Sequence, residues 1–283
     1  MRYCGIDLHS NNSVVVVTDE ADKVLLSRRC PNDLPTILAL LAPHRDKLTG
    51  VVVESTYNWY WLVDGLMAEG YTVKLANTVA MKRYDGLKYS DDESDAAHLA
   101  HMLRLGILPT GYIHPPAERA LRDLARKRVQ LVRSRTQHVL AVENILARST
   151  GSRPSAAAIK RLTPADIGTF GLAADVALAV QANLAVVATL NLEIGRIEAR
   201  LLEGAKLRPD YVRLKSIPGI GEVLAIVIML ETCDVTLFAR LGNFASYARC
   251  VDSARPLFQR QEERRRQHQE RQRLSGVGVH RSG

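Results

Sequence analysis

Four acidic residues in this chain have the types and positions that could do chemistry. Asp7 closes the short apolar run Met1-Arg-Tyr-Cys-Gly-Ile-Asp7, and Glu54 closes Gly50-Val-Val-Val-Glu54. Asp92 and Asp95 open the stretch Asp92-Glu93-Ser94-Asp95-Ala-Ala-His-Leu99-Ala-His-Met102-Leu103. A charge at the end of a buried strand needs a partner or a metal, and carboxylates delivered from separate elements to one point commonly hold a divalent cation. Mg²⁺ or Mn²⁺ suits such a set, because hard cations take carboxylate oxygen, keep several waters and pair with phosphate oxygens. Two ions about 4 Å apart stabilise both the attacking and the leaving oxygen of a phosphodiester. The implied chemistry is that of a nuclease or a strand-transfer enzyme, with Asp7, Glu54, Asp92 and Asp95 as catalytic and metal-ligating residues.

The elements that must position these acids are readable. Residues 1 to 30 read as three strands, Arg2 to Asp7, Ser13 to Asp19 and Lys23 to Arg28, joined by Asn11-Asn12 and by Glu20-Ala-Asp22, which predicts an antiparallel meander. Asn32-Asp33-Leu-Pro35 supplies a cap and an early proline for a helix to about His44. Val51 to Glu54 is unbroken apolar sequence, as in strands buried on both faces, and is followed by a helix over Tyr57 to Glu69 and a strand over Tyr71 to Ala76. Helical spacing places Asp92, Asp95, Ala96, Leu99 and Leu103 on one stripe, so the two carboxylates extend the face that docks inward. The competing reading is that Asp91 to Glu93 only favour the positive end of a helix dipole. Three strands followed by alternating helix and strand, with acids on the first strand, the fourth strand and a late helix, predict an α/β fold of ribonuclease-H-like layout.

From Pro115 the character changes. Ala117 to Ser149 carries leucines and valines among arginines and predicts a long helix or a helical hairpin, on which Arg122, Arg126, Arg133 and Arg135 could grip phosphates; the alternative is a solvated face on a packing helix. Gly151-Ser-Arg-Pro154 breaks the pattern, and residues 174 to 205 resume as an alanine- and leucine-rich helix able to pair with the first, within the chain or between chains. Leu214-Lys215-Ser216-Ile-Pro218-Gly-Ile-Gly221 then precedes the apolar segment Val223 to Leu230. A tight turn of this kind, with Gly219 and Gly221 opening a helix beside Lys215, can present backbone N–H groups to a phosphate, as helix-hairpin-helix units do. A plain helix-helix turn is its alternative.

Composition sets the frame. The 283 residues are 47% apolar, and the net charge is +8. Residues 117 to 150 and residues 254 to 283 each hold eight Lys/Arg against three Asp/Glu, +5 apiece, so the rest of the chain carries −2. The charge therefore sits in one helical segment and one tail, and favours a polyanionic partner. No basic segment followed by a long apolar run opens the chain, and Val223 to Leu230 is too short to span a bilayer, so a cytoplasmic protein with no membrane partner is expected. Cys4, Cys30, Cys233 and Cys250 form no CxxC pair, which argues against a disulfide framework or a zinc site.

Taken in order, these residues resemble the bacterial insertion-sequence one-ten transposases, which join an N-terminal RuvC-like DEDD domain to a C-terminal transposase domain. The resemblance runs through Gly5-Ile-Asp7-Leu-His9, Val53-Glu54-Ser-Thr56, Lys88-x-x-x-Asp92-x-x-Asp95-Ala96, the basic helical middle, and Ser216-Ile-Pro-Gly-Ile-Gly221 with Phe244-Ala-Ser-Tyr247. It implies a RuvC-like catalytic domain over 1–112, long basic helices over 113–206 and a partial, mostly α transposase domain over 207–255. It also implies Asp7, Glu54, Asp92 and Asp95 as the DEDD ligands, element ends and target DNA as partners, and in some members a structured guide RNA.

The family further implies a serine nucleophile in a Ser-Asn-Gly or Ser-Gly context soon after Asp252-Ser253. This chain continues instead with an Arg/Gln-rich run from Pro256 to Arg273. Codons for such a run, read in another frame, can spell a Gly/Asn/Lys-rich loop, so residues 256–283 are expected to be a frameshifted end or else a disordered basic tail. Ser253 is the weak substitute nucleophile.

Two other functions compete with a transposase: a metal-dependent RuvC-type junction resolvase or nuclease that uses the acids alone, and a nucleic-acid-binding protein without catalysis. His9 beside Asp7 is expected to be a hydrogen-bonded loop residue rather than one that touches metal or substrate. Trp59 and Trp61 are expected in the core. Paired cuts on two DNA molecules imply a homo-oligomer.

Overall fold

The computed structural model describes residues 1–81 and 92–248. Lys88, Ser253 and the 256–283 tail lie outside the described residues. The fold is mixed α/β, with a sheet followed by helices, and it divides into two compact units, Met1–Arg208 and the residues from Pro209 on.

The first unit opens with the expected meander, β1 (Arg2–Leu8), β2 (Asn12–Asp19) and β3 (Val24–Pro31), both pairs antiparallel. Helix α1 (Leu34–Leu41) starts where the Asp33 carboxylate accepts the backbone N–H of Thr36 at 2.9 Å, with proline in its first turn. It continues as a 3₁₀ turn over Ala42–Lys47 into β4 (Leu48–Glu54), α2 (Tyr60–Ala68), β5 (Val73–Ala76) and the short α3 (Thr78–Met81). Gly70, at φ +82°, supplies the left-handed residue that ends α2. Helix α4 (Asp92–Leu105) and the two-residue β6 (Thr110–Gly111) complete the sheet, in the order β3-β2-β1-β4-β5-β6. β1, β4 and β5 run parallel, and β6 runs antiparallel to β5.

Alternate residues of the central strands serve opposite faces, as strand geometry dictates. Ile6, Val15, Val17, Val51 and Val53 pack against Ile37, Leu41, Leu62 and Leu66 of α1 and α2. On the other face, Tyr3 and Val52 pack with Leu99, Ala100 and Leu103 of α4, and Val14 and Val16 pack with Ala96. Both faces of the central strands are covered, which explains the continuous valine runs.

Helix α5 (Pro116–Thr150) is one unbroken helix of 35 residues, about 52 Å long. No breaker interrupts it before Gly151, which takes a left-handed φ of +73°. The short α6 (Ala156–Ile159) and a 3₁₀ turn over Pro164–Phe170 lead to α7 (Ala174–Ala205). Partner numbers fall along α7 as they rise along α5: Arg128 pairs with Glu198, Arg135 donates to Asn191 at 2.8 Å, and His138 meets Asn183 at 2.9 Å. The two helices are therefore an antiparallel pair. Val139, Val142 and Leu146 bury against Val180, Leu184 and Val187, and Ile159 and Ile167 close the end of that core. By length and composition α7 is long and apolar enough to cross a membrane, a test that the core helix of a soluble protein also passes.

In the second unit, α8 (Pro209–Lys215), α9 (Glu222–Thr232), a 3₁₀ turn over Val235–Leu237 and α10 (Leu241–Tyr247) follow one another. Phe238 stacks edge-on against Phe244 at 5.3 Å between ring centres.

Candidate metal centre and nucleic-acid surfaces

The position of the acids begins with strand register. Ile6 of β1 faces Val53 of the parallel strand β4. Asp7 and Glu54 are the next residue on each strand, so both arrive at the carboxyl ends of neighbouring strands and turn toward the α4 face. Asp7 is buried, at 3% exposure, and Glu54 is half-buried.

Helix α4 lies against that face and runs opposite to β1. Leu103, in its last turn, reaches Gly50 at the start of β4, and beyond it Arg104 and His101 bind Asp22 in the β2–β3 turn at 2.7 and 2.9 Å. The first turn of α4, carrying Asp92 and Asp95, consequently comes to the end where Asp7 and Glu54 stand. Gly5 makes the approach possible: a Cβ there would lie 1.9 Å from the carbonyl oxygen of Ala96. Ala96, Leu99 and Leu103 are buried, Asp92 and Asp95 are half-buried on the same stripe, and Glu93 is exposed.

Asp7 and Asp92, 85 residues apart in sequence, meet through His9. Its Nε2 lies 3.2 Å from Asp7 Oδ2 and 3.4 Å from Asp92 Oδ2. One donor atom from each of the three residues falls within 4.8 Å of the other two. Glu54, by strand register, and Asp95, one helical turn from Asp92, occupy the same end of the same face. Arg29 of β3 forms an ion pair with Asp92. That Arg29 hydrogen bond is the main reason the Asp92 carboxyl is held below the usual aspartate range, with His9 adding to the pull.

The loop after β1 is fixed from two sides. The His9 carbonyl accepts the side-chain amides of Asn32 and Asn58, each at 2.9 Å, and the His9 N–H donates to the Asn12 carbonyl at 2.9 Å. Asn58 stands just beyond Glu54 and accepts the Thr56 hydroxyl at 2.9 Å, so the two loops that carry Asp7 and Glu54 are tied to each other. Sequence reasoning did not single out Arg29 or Asn58, and it read Asn32 only as part of a helix cap. A signal for Arg29 lay in the strand pairing, since Asp7 faces Val14 and Val14 faces Arg29 across the meander.

The residue set fits a divalent cation. Asp7 of β1 and Asp92 of α4 meet at His9, Glu54 and Asp95 stand at the same end of that face, and the Nε2 of His9 is a buried polar atom without an aligned hydrogen-bond partner.

The arginines singled out on α5 divide. At 100° per residue, Arg122, Arg126 and Arg133 fall within about 40° of one another around the helix, while Arg135 falls nearly opposite. Arg126 and Arg133 are exposed and Arg122 is half-buried, whereas Arg135 is turned to Asn191 of α7. At the head of α5, buried Arg119 pairs with Asp64 and stacks on the Trp59 and Tyr60 rings at 4.9 and 4.4 Å, fixing α5 to the start of α2. In the second unit, Gly219 takes φ +87° and Gly221 caps α9, forming a tight turn after α8 in which Lys215 Nζ lies 3.8 Å from Glu222.

Two family models match the chain. One, described as a DEDD transposase of the IS110 type, covers residues 4–150; the other, described as the transposase IS116/IS110/IS902 family, covers residues 211–255. No curated protein matches.

Proposed function

The chain belongs to the IS110 family of transposases, and from that premise we propose that Asp7, Glu54, Asp92 and Asp95 hold its catalytic divalent cation, Mg²⁺ or Mn²⁺, in an RNase H-like (RuvC-like) domain. Transposase function, DNA as partner and divalent-metal use follow from the family; the nuclease and the purely binding alternatives are not favoured. What carries the ligand assignment is the meeting of a buried Asp7 with Asp92 from a different element, within 4.8 Å and with His9 between them. The strand order 3-2-1-4-5, with acids at the ends of β1 and β4 and on a helix crossing that face, supports the fold assignment.

In this reading the catalytic domain spans 1–112, the α5 and α7 pair belongs to a basic region over 113–206, and 207–255 is the transposase-specific part. When bound, the cation polarises a phosphodiester and favours ionisation of the attacking oxygen. Asp7 and Glu54 set the floor of the site from rigid strand ends. Asp92 and Asp95 close it from the first turn of α4. Arg29, at the rim, balances the charge of Asp92 and offers a guanidinium to a phosphate oxygen. Arg122, Arg126 and Arg133 carry the DNA backbone along one side of α5, and Lys215, Gly219 and Gly221 take a second phosphate position. A homo-oligomer in the cytoplasm completes this reading; a structured guide RNA belongs to some members of the family. The serine nucleophile is missing from its expected context, where the chain continues with either a frameshifted end or a basic tail from about residue 256 and where the family match also ends; Ser253 is the weak substitute.

The test is cleavage and strand transfer on the element's own ends with Mg²⁺ or Mn²⁺, comparing the chain as it stands, a version with the C-terminal frame restored, and Asp7→Asn and Asp92→Asn in each. Transfer is expected only from the restored version, and either substitution abolishes it while DNA binding persists. Full transfer by Asp92→Asn would remove the acids from the mechanism.

A further inference from the structure

We infer that His9 is itself a ligand of the divalent cation, bridging the positions of Asp7 and Asp92, so that the site takes one imidazole nitrogen among its carboxylate oxygens and holds Mn²⁺ more tightly than Mg²⁺. This rests on the metal reading proposed above and adds a residue outside its four acids.

Three observations carry it. The first is the geometry of the donors. Two ligands about 2.1 Å from one ion stand about 3.0 Å apart at a right angle and about 3.4 Å apart at the tetrahedral angle. Nε2 of His9 stands 3.2 Å from Asp7 Oδ2 and 3.4 Å from Asp92 Oδ2. Nε2 therefore already stands at the spacing of a coordination-sphere neighbour from each carboxylate oxygen, and the three atoms lie within 4.8 Å of one another.

The second is that Nε2 itself is shielded from water although the ring is about one-third exposed, and its contacts to the two carboxylates at 3.2 and 3.4 Å are not aligned as hydrogen bonds. Desolvating a ring nitrogen without a bond is costly, and a loop histidine free to turn outward would not incur that cost.

The third is the rigidity of the loop. Asn32 and Asn58 hold the His9 carbonyl and Asn12 holds its N–H. These bonds use the backbone alone, so the ring is aimed by its loop rather than by its own contacts. Two of the groups that do this, Asn58 and the loop after β1, are adjacent to Glu54 and Asp7, which places His9 within the same set of ligand-bearing loops.

An imidazole ligand has a chemical consequence. Mg²⁺ prefers an all-oxygen sphere, whereas nitrogen donors favour the first-row transition ions. His9 is therefore a selectivity element as well as a ligand.

The experiment uses the full chain, without DNA, and Mn²⁺ as the probe. Mn²⁺ binding is titrated by loss of the free-ion electron paramagnetic resonance signal, and the bound ion is examined for magnetic coupling to ¹⁴N. Wild type is expected to show ¹⁴N coupling, and His9→Ala and His9→Gln to lose it. Both variants should bind Mn²⁺ more weakly, by at least about tenfold, with a smaller change for Mg²⁺ measured by competition. Because the backbone bonds of the loop survive both substitutions, the thermal midpoint should stay close to wild type. Mn²⁺ bound by wild type without ¹⁴N coupling, or with coupling that persists in His9→Ala, overturns the inference and leaves the four acids standing. Mn²⁺ binding that is unchanged in Asp7→Asn overturns the metal reading on which it rests.

Discussion

Gly5→Ala tests whether the whole site is assembled as described. The added Cβ would lie 1.9 Å from the carbonyl oxygen of Ala96, 2.9 Å from the amide nitrogen of Ala100 and 3.0 Å from the carbonyl carbon of Ala96. All three are backbone atoms of α4, so no side-chain rotation relieves the clash. To bring the closest contact out to 3.0 Å, below which real Cβ atoms essentially never approach, α4 must retreat from β1 by about 1.1 Å. Ala96, Leu99, Ala100 and Leu103 are buried in that interface, and overpacking of this kind costs roughly 1–3 kcal/mol or more. The retreat also carries Asp92 and Asp95 away from Asp7 and Glu54, and a misplacement of about 1 Å in a catalytic constellation can cost about 100-fold in rate. Urea unfolding reads the first effect; Mn²⁺ affinity and metal-dependent cleavage read the second. Gly65→Ala is the control, since the three atoms nearest its Cβ would all belong to the flexible side chain of Leu34, the closest at 2.3 Å. It should lower stability without touching the metal. A Gly5→Ala protein with wild-type midpoint and wild-type Mn²⁺ affinity would refute the seating of α4 on β1 and the assembly of the site that depends on it.

Other perturbations separate the roles of individual side chains. Burial pushes the Asp22 carboxyl up, but hydrogen bonds and charge from Arg104 and His101 outweigh it and leave its pKa below the usual aspartate value. A depressed folded-state pKa means stability that is present above the unfolded pKa of about 3.9 and lost as pH falls through the folded value. Asp22→Asn, which tolerates the local φ of +60°, should therefore be less stable than wild type at pH 7, by about 1 kcal/mol or less at this partly exposed site; denaturation at pH 7 and pH 3 should show the difference shrinking in acid. Combined Arg122→Ala, Arg126→Ala and Arg133→Ala should reduce the slope of log affinity for DNA against log salt by up to about 2.7, about 0.9 for each phosphate released. Arg135→Ala should leave that slope unchanged and lower the thermal midpoint instead, because its guanidinium serves Asn191. Asn58→Ala removes one of two amides from the His9 carbonyl and should weaken Mn²⁺ binding several-fold with little change in global stability, which a metal titration beside a melting curve would show.

How far the sequence discloses this site depends on the range of the interactions involved. The meander, the strand ending on Glu54 and the stripe of Asp92, Asp95, Ala96, Leu99 and Leu103 were legible because each is set by residues within a few positions of one another: alternation, a cap, a turn. The first-turn acids of α4 could be placed on its inward side from spacing alone. The single helix α5 was left open between one helix and a hairpin, since its arginines and leucines suit either; only the lack of a breaker before Gly151 decides it. What spacing could not supply is the third dimension of the β meander. Arg29 follows from two successive strand registers, and the pairing Asp7 to Val14 to Arg29 needs both to be right. His9 read as a loop histidine because the sequence shows only Asp7 near it; the second carboxylate beside its Nε2, Asp92, is brought there by α4. The loop after Glu54 likewise has no local reason to carry Asn58, whose partner is the His9 carbonyl. The residues that hold these loops are thus less visible in sequence than the acids themselves: a carboxylate at a strand end is conspicuous by its type, whereas an amide that holds another loop's carbonyl is ordinary until the two loops are seen together. A glycine can be the most informative of all, since Gly5 offers no functional group and yet sets how closely the helix bearing Asp92 and Asp95 can approach the strand bearing Asp7.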